Sequence, residues 1–370
     1  MAISTHPDRA GGGAAGPVWA ATRTGPALLG VGTAVPDTSY TQSRLLELFG
    51  VEDERVRSVF LNSAIDRRHL ALPPVGADGR LRAESQGELL AKHKKQGVEL
   101  GIRALQTCLK RIGAAVDDLG YLVCVSTTGL LTPGFSALLI RELGISVRCG
   151  RLDVVGMGCN AGLNALSAVT GWASAHPGGL AVMVCVETCS AAYVFDGTMR
   201  SSVVNSLFGD GAAAVAVRLG PEGGGPQVLR YASLIIPDAI DAMRYDWDEA
   251  HGKFSFFLDP RIPYVVGAHA EEVVGDLLRG TGLRRSDIAH WLVHSGGKKV
   301  VDSIAVNLGL TRHDLRHTTG VLRGYGNLSS GSFLFSYERL MREGAARPGD
   351  YGVLMTMGPG STLETALVRF

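Results

Sequence analysis

The feature that most limits how this chain can fold is that it runs through one pattern twice. Asp118-Leu-Gly-Tyr-Leu-Val-Cys-Val125 and Asp287-Ile-Ala-His-Trp-Leu-Val-His294 each lead from an Asp-aliphatic pair into a short apolar strand. A helical pattern precedes each, at 100–112 and 273–278. The halves then stay in step, with 34 residues from Val125 to Cys159 and 33 from His294 to Asn327. Gly158-Cys159 and Gly326-Asn327 each open a helical run, 160–168 and 328–335, the first built of small residues. A Pro-Gly turn follows each run (Pro177-Gly178, Pro348-Gly349), then strands at 180–186 and 351–357, and closing strands at 212–217 and 363–368.

Strands alternating with helices predict an α/β fold of two duplicated βαβαβαββ halves in a layered αβαβα architecture. The strands are nearly all apolar, which predicts sheets buried on both faces, mostly parallel, with helical crossovers. The expected division is a mobile N-terminal tail at 1–27, a half at 28–225 and a half at 226–370. Such a duplication places equivalent strand-to-helix loops at one interface, where Cys159, His294 and Asn327 would converge. A chance likeness between two βαβ segments is the bland alternative.

Composition removes other classes. Charged residues make up 19% of the 370, and the net charge is +1, so nothing here attracts nucleic acid or an anionic membrane surface. The six cysteines form no CxxC pair, which argues for reduced thiols, no disulfide framework, no metal site and a cytoplasmic location. The first 27 residues hold no apolar stretch of signal-peptide length, and no run is long enough to span a membrane.

Three residues carry chemistry. Cys159 sits where an apolar strand ends at a Gly-X-Gly elbow, just before a helix whose N-terminus would stabilise a thiolate. It is a nucleophile or an inert buried thiol. His294 ends a strand before Gly296-Gly297, where it activates a thiol, stabilises negative charge or is a hydrogen-bonded core histidine. Asn327 is either a helix N-cap or an oxyanion donor beside His294.

The three together, with GMGCNAGLNAL around Cys159, LFGDGAAA from Leu207, HSGG at His294, GNLSS at Asn327 and GPGSTLE from Gly358, resemble the type III polyketide synthases. The resemblance to these chalcone-synthase-like enzymes covers roughly residues 28–370 and implies the thiolase-like fold. It implies that Cys159 is acylated by a coenzyme A thioester, while His294 and Asn327 hold the thioester oxygen of malonyl-CoA as it loses CO2. It implies no cofactor beyond coenzyme A thioesters as substrates, a homodimer, and room for dehydrating helper enzymes. Phe208 and Phe256 match the family's two gatekeeping phenylalanines. Ala192 stands where plant members have a cavity threonine, and Thr132 where they have a methionine at the dimer contact. Of the basic residues that grip coenzyme A phosphates, only Arg55 remains, with Ser58 and Asn62 at the other places.

Lys298 and Lys299 follow His294 at an expected helix start, which disfavours cations. They are a solvated pair, or one of them meets a coenzyme A phosphate or the malonyl carboxylate. A ketoacyl synthase fed by acyl-carrier protein shares the three residues but calls for a basic docking patch, and no clear one is visible. A thiolase needs a second cysteine in the C-terminal half, and none follows Cys189. A non-catalytic chain-length factor typically lacks the nucleophile.

Overall fold

A computed structural model describes residues 25–77, 79–192, 195–220 and 224–370. The expected tail lies mostly outside these. Its last residues are tied into the sheet, where the Pro26 carbonyl accepts from Val228 and the Leu28 N–H donates to Pro226.

The first half begins with β1 (Ala27–Ala34), β2 (Ser39–Thr41), α1 (Gln42–Phe49), α2 (Glu54–Leu61) and β3 (Arg67–His69). It continues through α3 (Gln86–Arg111), β4 (Leu119–Ser126), α4 (Phe135–Leu143), β5 (Gly150–Val155), α5 (Ala161–Ala175), β6 (Leu180–Glu187), α6 (Met199–Leu207) and β7 (Gly211–Arg218). The second half has β8 (Gln227–Ile235), β9 (Met243–Asp248), β10 (Lys253–Leu258), α7 (Ile262–Leu278), β11 (Ile288–Val293) and α8 (Lys298–Leu308). It ends with α9 (Arg316–Tyr325), α10 (Ser332–Glu343), β12 (Tyr351–Gly358) and β13 (Thr362–Arg369).

The main strands run in the order β11-β12-β13-β8-β1-β7-β6-β4-β5. The two halves of this row meet at a short seam, where Ala27 pairs with Gln227 between the Pro26–Val228 and Leu28–Pro226 hydrogen bonds. On either side of that seam the pairing repeats. β4 and β6 are parallel, as are β11 and β12. The pairs β6–β7 and β12–β13 are antiparallel, and so are β7–β1 and β13–β8. The duplication read from the sequence is therefore present in strand order and direction.

Two expectations need correcting. The sheet is mostly antiparallel, because each half closes with a returning strand, β7 or β13, that runs against its neighbours. Apolar runs reported burial on both faces, which helices on either side provide, and burial does not fix direction. In addition, the second half has no strand equivalent to β5 among the described residues. α9 leads to Asn327 instead, and only an isolated bridge pairs Asn327 with Phe208.

The layers follow from strand alternation. On β4, Val123 and Val125 face one core with α5 and α10, while Leu122 and Cys124 face another with α3 and α4. On β12, Leu354 joins the central core, and Val353 and Met355 pack against α7 and α8. The order is thus α3/α4, first sheet, α5/α10, second sheet, α7/α8. Among the described residues no helix is long and apolar enough to cross a membrane, and all six cysteines are free thiols.

The central helices touch at their starts. A Cβ on Gly162 would lie 2.3 Å from the Ser330 carbonyl oxygen, so only glycine permits the approach. Replacing Gly162 with Ala forces α5 and α10 apart, and overpacking of this kind costs about 1–3 kcal/mol. Denaturant unfolding of Gly162→Ala is expected to show that loss; wild-type stability would mean the two helices are not tightly held.

Candidate active site

β5 ends at Val155, and two residues later a single 3-10 turn, Gly158–Asn160, runs directly into α5. This elbow carries Cys159. Its sulfur faces a cavity of about 420 Å3 lined also by Thr127, Ala192, Tyr245, Phe256 and Ser329. The thiol lies 3.5 Å from the Ser329 hydroxyl.

Asn327 occupies the matching place in the second half, before the turn Ser329–Gly331 that opens α10. Its backbone is held on both sides: the N–H donates to Leu207 at 2.9 Å and the carbonyl accepts from Gly209 at 3.0 Å. Its Oδ1 accepts the Ser329 N–H at 2.8 Å, the capping role the residue type favours. That bond orients the amide, leaving Nδ2 as a donor that reaches the Gly296 carbonyl at a long 3.4 Å. Capping and donation are thus compatible, one on each end of the amide.

His294 follows β11, anchored by its N–H to Met355 at 2.8 Å. The residue is 2% exposed, and among the described residues its Nδ1 has no hydrogen-bond partner. Burial pushes the imidazole down to about 3, so it stands neutral, able to donate one N–H and accept one proton. His294 and Asn327 are not among the cavity-lining residues; Ser329, which lines it, joins Asn327 to it, and the Gly296 carbonyl joins Asn327 to the loop after His294.

The helix start does not hold Cys159 as a thiolate in the way the elbow suggested. Burial raises the thiol to about 12, with Ser329 pulling it down and the charge of Glu187 pushing it up. Loss of water penalises the anion more than the local donors return.

Sequence reading missed the polar chain behind the thiol. Ser329 Oγ lies 3.1 Å from Thr127 Oγ1, which lies 3.1 Å from Glu187 Oε2. Glu187 is fully buried, and it also accepts from the Thr127 N–H at 3.0 Å and from the Ser330 hydroxyl. Burial raises its carboxyl to about 7 against these donors. The available signal was a lone acid closing the apolar run Leu180-Ala-Val-Met-Val-Cys-Val-Glu187.

Phe208 and Phe256 stand edge to face, with centroids 6.3 Å apart. Phe256 lines the Cys159 cavity, whereas Phe208 lines a neighbouring one of about 240 Å3 beside Cys189 and Arg68. The pair forms a partition between the two.

The remaining candidates lie elsewhere. Thr132 is exposed, Arg55 projects from α2 with a side chain 86% exposed, and neither lines the cavity. Lys298 finds its anion on its own helix, in an i,i+4 pair with Asp302, and Lys299 is exposed. That pairing offsets the unfavourable helix start without any ligand. Ligand atoms of Asp196, Asp248 and His251 lie within 4.8 Å of one another near the β9–β10 turn, but Asp248 already bonds His251 Nδ1 at 2.7 Å.

A thiol at a helix start, facing a largely apolar cavity in a duplicated α/β fold, is the arrangement of a condensing enzyme of the thiolase-like class. Residues 18–221 match the N-terminal domain of the chalcone and stilbene synthases, and residues 229–370 match their C-terminal domain. The chain belongs to that family and is a type III polyketide synthase. It is 68% identical over 351 residues to the 3,5-dihydroxyphenylacetyl-CoA synthase of Streptomyces toyocaensis, covering 93% of this chain and 90% of that one. Identity to the 1,3,6,8-tetrahydroxynaphthalene synthase of Streptomyces peucetius subsp. caesius is 33%, over 94% and 93%. The crystal structure of the 1,3,6,8-tetrahydroxynaphthalene synthase of Streptomyces coelicolor A3(2), a bacterial type III polyketide synthase, superposes with a TM-score of 0.85 at 28% identity, covering 93% and 99%.

Glu187 gives a testable pH dependence. Its folded value, about 7, lies above the ordinary 4.5, so the folded chain keeps a proton that the unfolded chain sheds. The resulting stabilisation is complete below pH 4.5 and lost as pH rises through 7, on the order of 3 kcal/mol. Denaturant unfolding across this range should show wild type losing stability relative to Glu187→Gln; parallel profiles would mean the carboxyl is ionised throughout.

Proposed function

We propose that the chain condenses four malonyl-CoA units into 3,5-dihydroxyphenylacetyl-CoA, with Cys159 carrying the growing chain and His294 and Asn327 promoting decarboxylation. The observation that carries the reading is the 68% identity across nearly the whole chain to synthases of that product, supported by Ser329 standing between Cys159 and Asn327.

The cycle follows from the site. The Cys159 sulfur attacks a thioester carbonyl, its proton goes to His294, and coenzyme A leaves as the thiol by taking that proton. The thioester oxygen of a second malonyl-CoA then accepts from a His294 ring N–H and from Asn327 Nδ2. Breaking the carbon–carboxylate bond releases CO2 and leaves the electron pair as an enolate. Two fixed donors stabilise that enolate more than the ground-state carbonyl, which is where they lower the barrier. The enolate carbon attacks the Cys159 thioester, the sulfur leaves, and the product is two carbons longer. This chemistry calls for no cofactor beyond the coenzyme A thioesters.

Four units give eight carbons once the carboxylates are lost. Joining the terminal carbon to the third carbon and losing water forms the dihydroxyphenyl ring on an acetyl thioester. Phe256 and Tyr245 supply an apolar wall that keeps water from the reactive thioester. Use of the product in making the antibiotic amino acid dihydroxyphenylglycine belongs to the same reading, as does work in a reducing cytoplasm, which the free thiols suit.

A homodimer is part of the proposal. Leu130 and Val155 line the cavity yet are 65% and 47% exposed, beside the open edge strand β5. A second copy over that edge would cover them and finish the cavity wall, bringing Thr132 next to it.

Incubation with malonyl-CoA alone, followed by mass spectrometry, should yield the eight-carbon dihydroxyphenylacetyl product, and Cys159→Ala should yield none. Asn327→Ala should slow turnover by about 100- to 1,000-fold, the cost of removing one oxyanion donor. A different product would move the reading to another starter or ring closure. No product without added dehydrating enzymes or a carrier protein would overturn the claim that the chain alone suffices.

A further inference from the structure

Arg68, at the middle of β3, is 2% exposed, and among the described residues it forms no salt bridge. Burying a guanidinium is costly, and the buried Asp210 carboxylate offsets part of that cost through space without a direct ion pair. Its hydrogen bonds indicate what it is kept for. Nη1 donates to the Phe208 carbonyl at 2.7 Å, while Nε and Nη2 donate to Gln42 Oε1 at 3.2 and 3.0 Å. Gln42 in turn donates from Nε2 to the Ser206 carbonyl at 2.7 Å and to the Ser63 hydroxyl at 2.8 Å.

Three successive carbonyls at the end of α6 are therefore gripped in turn. Gln42 holds Ser206, the Asn327 N–H holds Leu207 at 2.9 Å, and Arg68 holds Phe208. The aliphatic stem of Arg68 also lies beneath Gly326, where an added Cβ would sit 3.0 Å from its Cγ and Cδ. Leu207, between the gripped residues, packs towards Gly297 in the loop after His294. One buried pair thus touches the backbone that presents Phe208 and the residue that precedes Asn327.

We propose that Arg68 and Gln42 are positioning residues for the condensation. Through the backbone of 206–208 they fix where the Asn327 amide stands relative to Cys159, and where the Phe208 ring stands against Phe256. The proposal rests on the reading of Asn327 as a donor to the malonyl thioester oxygen. It separates two steps. Acylation of Cys159 depends on the thiol, its own elbow and proton transfer to His294, whereas decarboxylation also needs the Asn327 amide and should follow the clamp. Displacing a reacting group by about 1 Å can cost on the order of 100-fold in rate.

The test uses the full chain and malonyl-CoA, reading CO2 release and, by acid-quenched mass analysis, acylation of Cys159. Arg68→Met keeps the stem and removes the donors. It should acylate Cys159 within about threefold of wild type, with KM little changed, and release CO2 about 100-fold more slowly. Gln42→Glu retains an acceptor for Arg68 and pairs its charge, so it should fold at least as well as wild type. It frees the Ser206 carbonyl and should release CO2 about tenfold more slowly. The double variant should be no slower than Arg68→Met, because the pair acts as a unit.

A wild-type CO2 rate per acylated Cys159 in Arg68→Met overturns the proposal, since any lost activity would then reflect lost folded protein. Unchanged rates in Gln42→Glu overturn it as well, and decide the matter if Arg68→Met fails to fold. A wild-type chain that releases no CO2 from malonyl-CoA overturns the underlying reading, and the clamp with it.

Discussion

Gly162 lets the backbone of Ser330 come against the start of α5, and this contact brings the two halves of the duplication face to face. Both central helices are enclosed between sheets, so their starts cannot turn to bulk water for hydrogen bonds. They use side chains instead. Asn327 Oδ1 accepts the Ser329 N–H, and beside it the Thr356 hydroxyl donates to the Asn160 carbonyl at 3.5 Å and the Ser330 hydroxyl donates to Glu187. These contacts gather buried polar groups where the two helix starts meet, with the thiol of Cys159 at their edge.

The walls of the Cys159 cavity are rigid for a different reason. The aromatic cluster of Tyr245, Phe254, Trp247 and Phe256 on the β9–β10 hairpin packs edge to face, and Phe208 closes against it. Such rings have few rotamers, and their edge-to-face contacts brace the Tyr245, Phe254 and Phe256 side of the cavity. A reactive poly-β-keto chain folded inside is held apart from water and in a limited set of conformations. On the proposed function, product identity is a matter of cavity shape, and Cys159, His294 and Asn327 supply the condensation chemistry.

Most of the architecture was legible from the chain, because the repeat is written in apolar strands whose burial leaves little freedom. Cys159 and Asn327 stood out by equivalent positions in the two halves, and both lie at the starts of the paired helices. What stayed hidden depended on partners distant in sequence. The direction of the closing strands is set by short returns that hydropathy does not record. Asn327 follows α9 and not a strand, because the segment before it packs as a helix while only one bridge to Phe208 keeps the strand-like contact. Glu187 looked like a strand terminus until Thr127 and Ser330, 60 and 143 residues away, closed on it. Lys298 and Lys299 looked anomalous at a helix start, but an aspartate one turn further along, Asp302, already answers the charge of Lys298.

The most direct test of the account is whether malonyl-CoA places an acyl group on Cys159. Brief incubation, acid quenching and peptide mass mapping should find the added mass on the peptide holding Cys159 and on no peptide holding the other five cysteines, with an Asn327→Ala variant accumulating the malonyl form. An adduct on another residue, or an unmodified Cys159 in a chain that still turns over malonyl-CoA, would contradict the account.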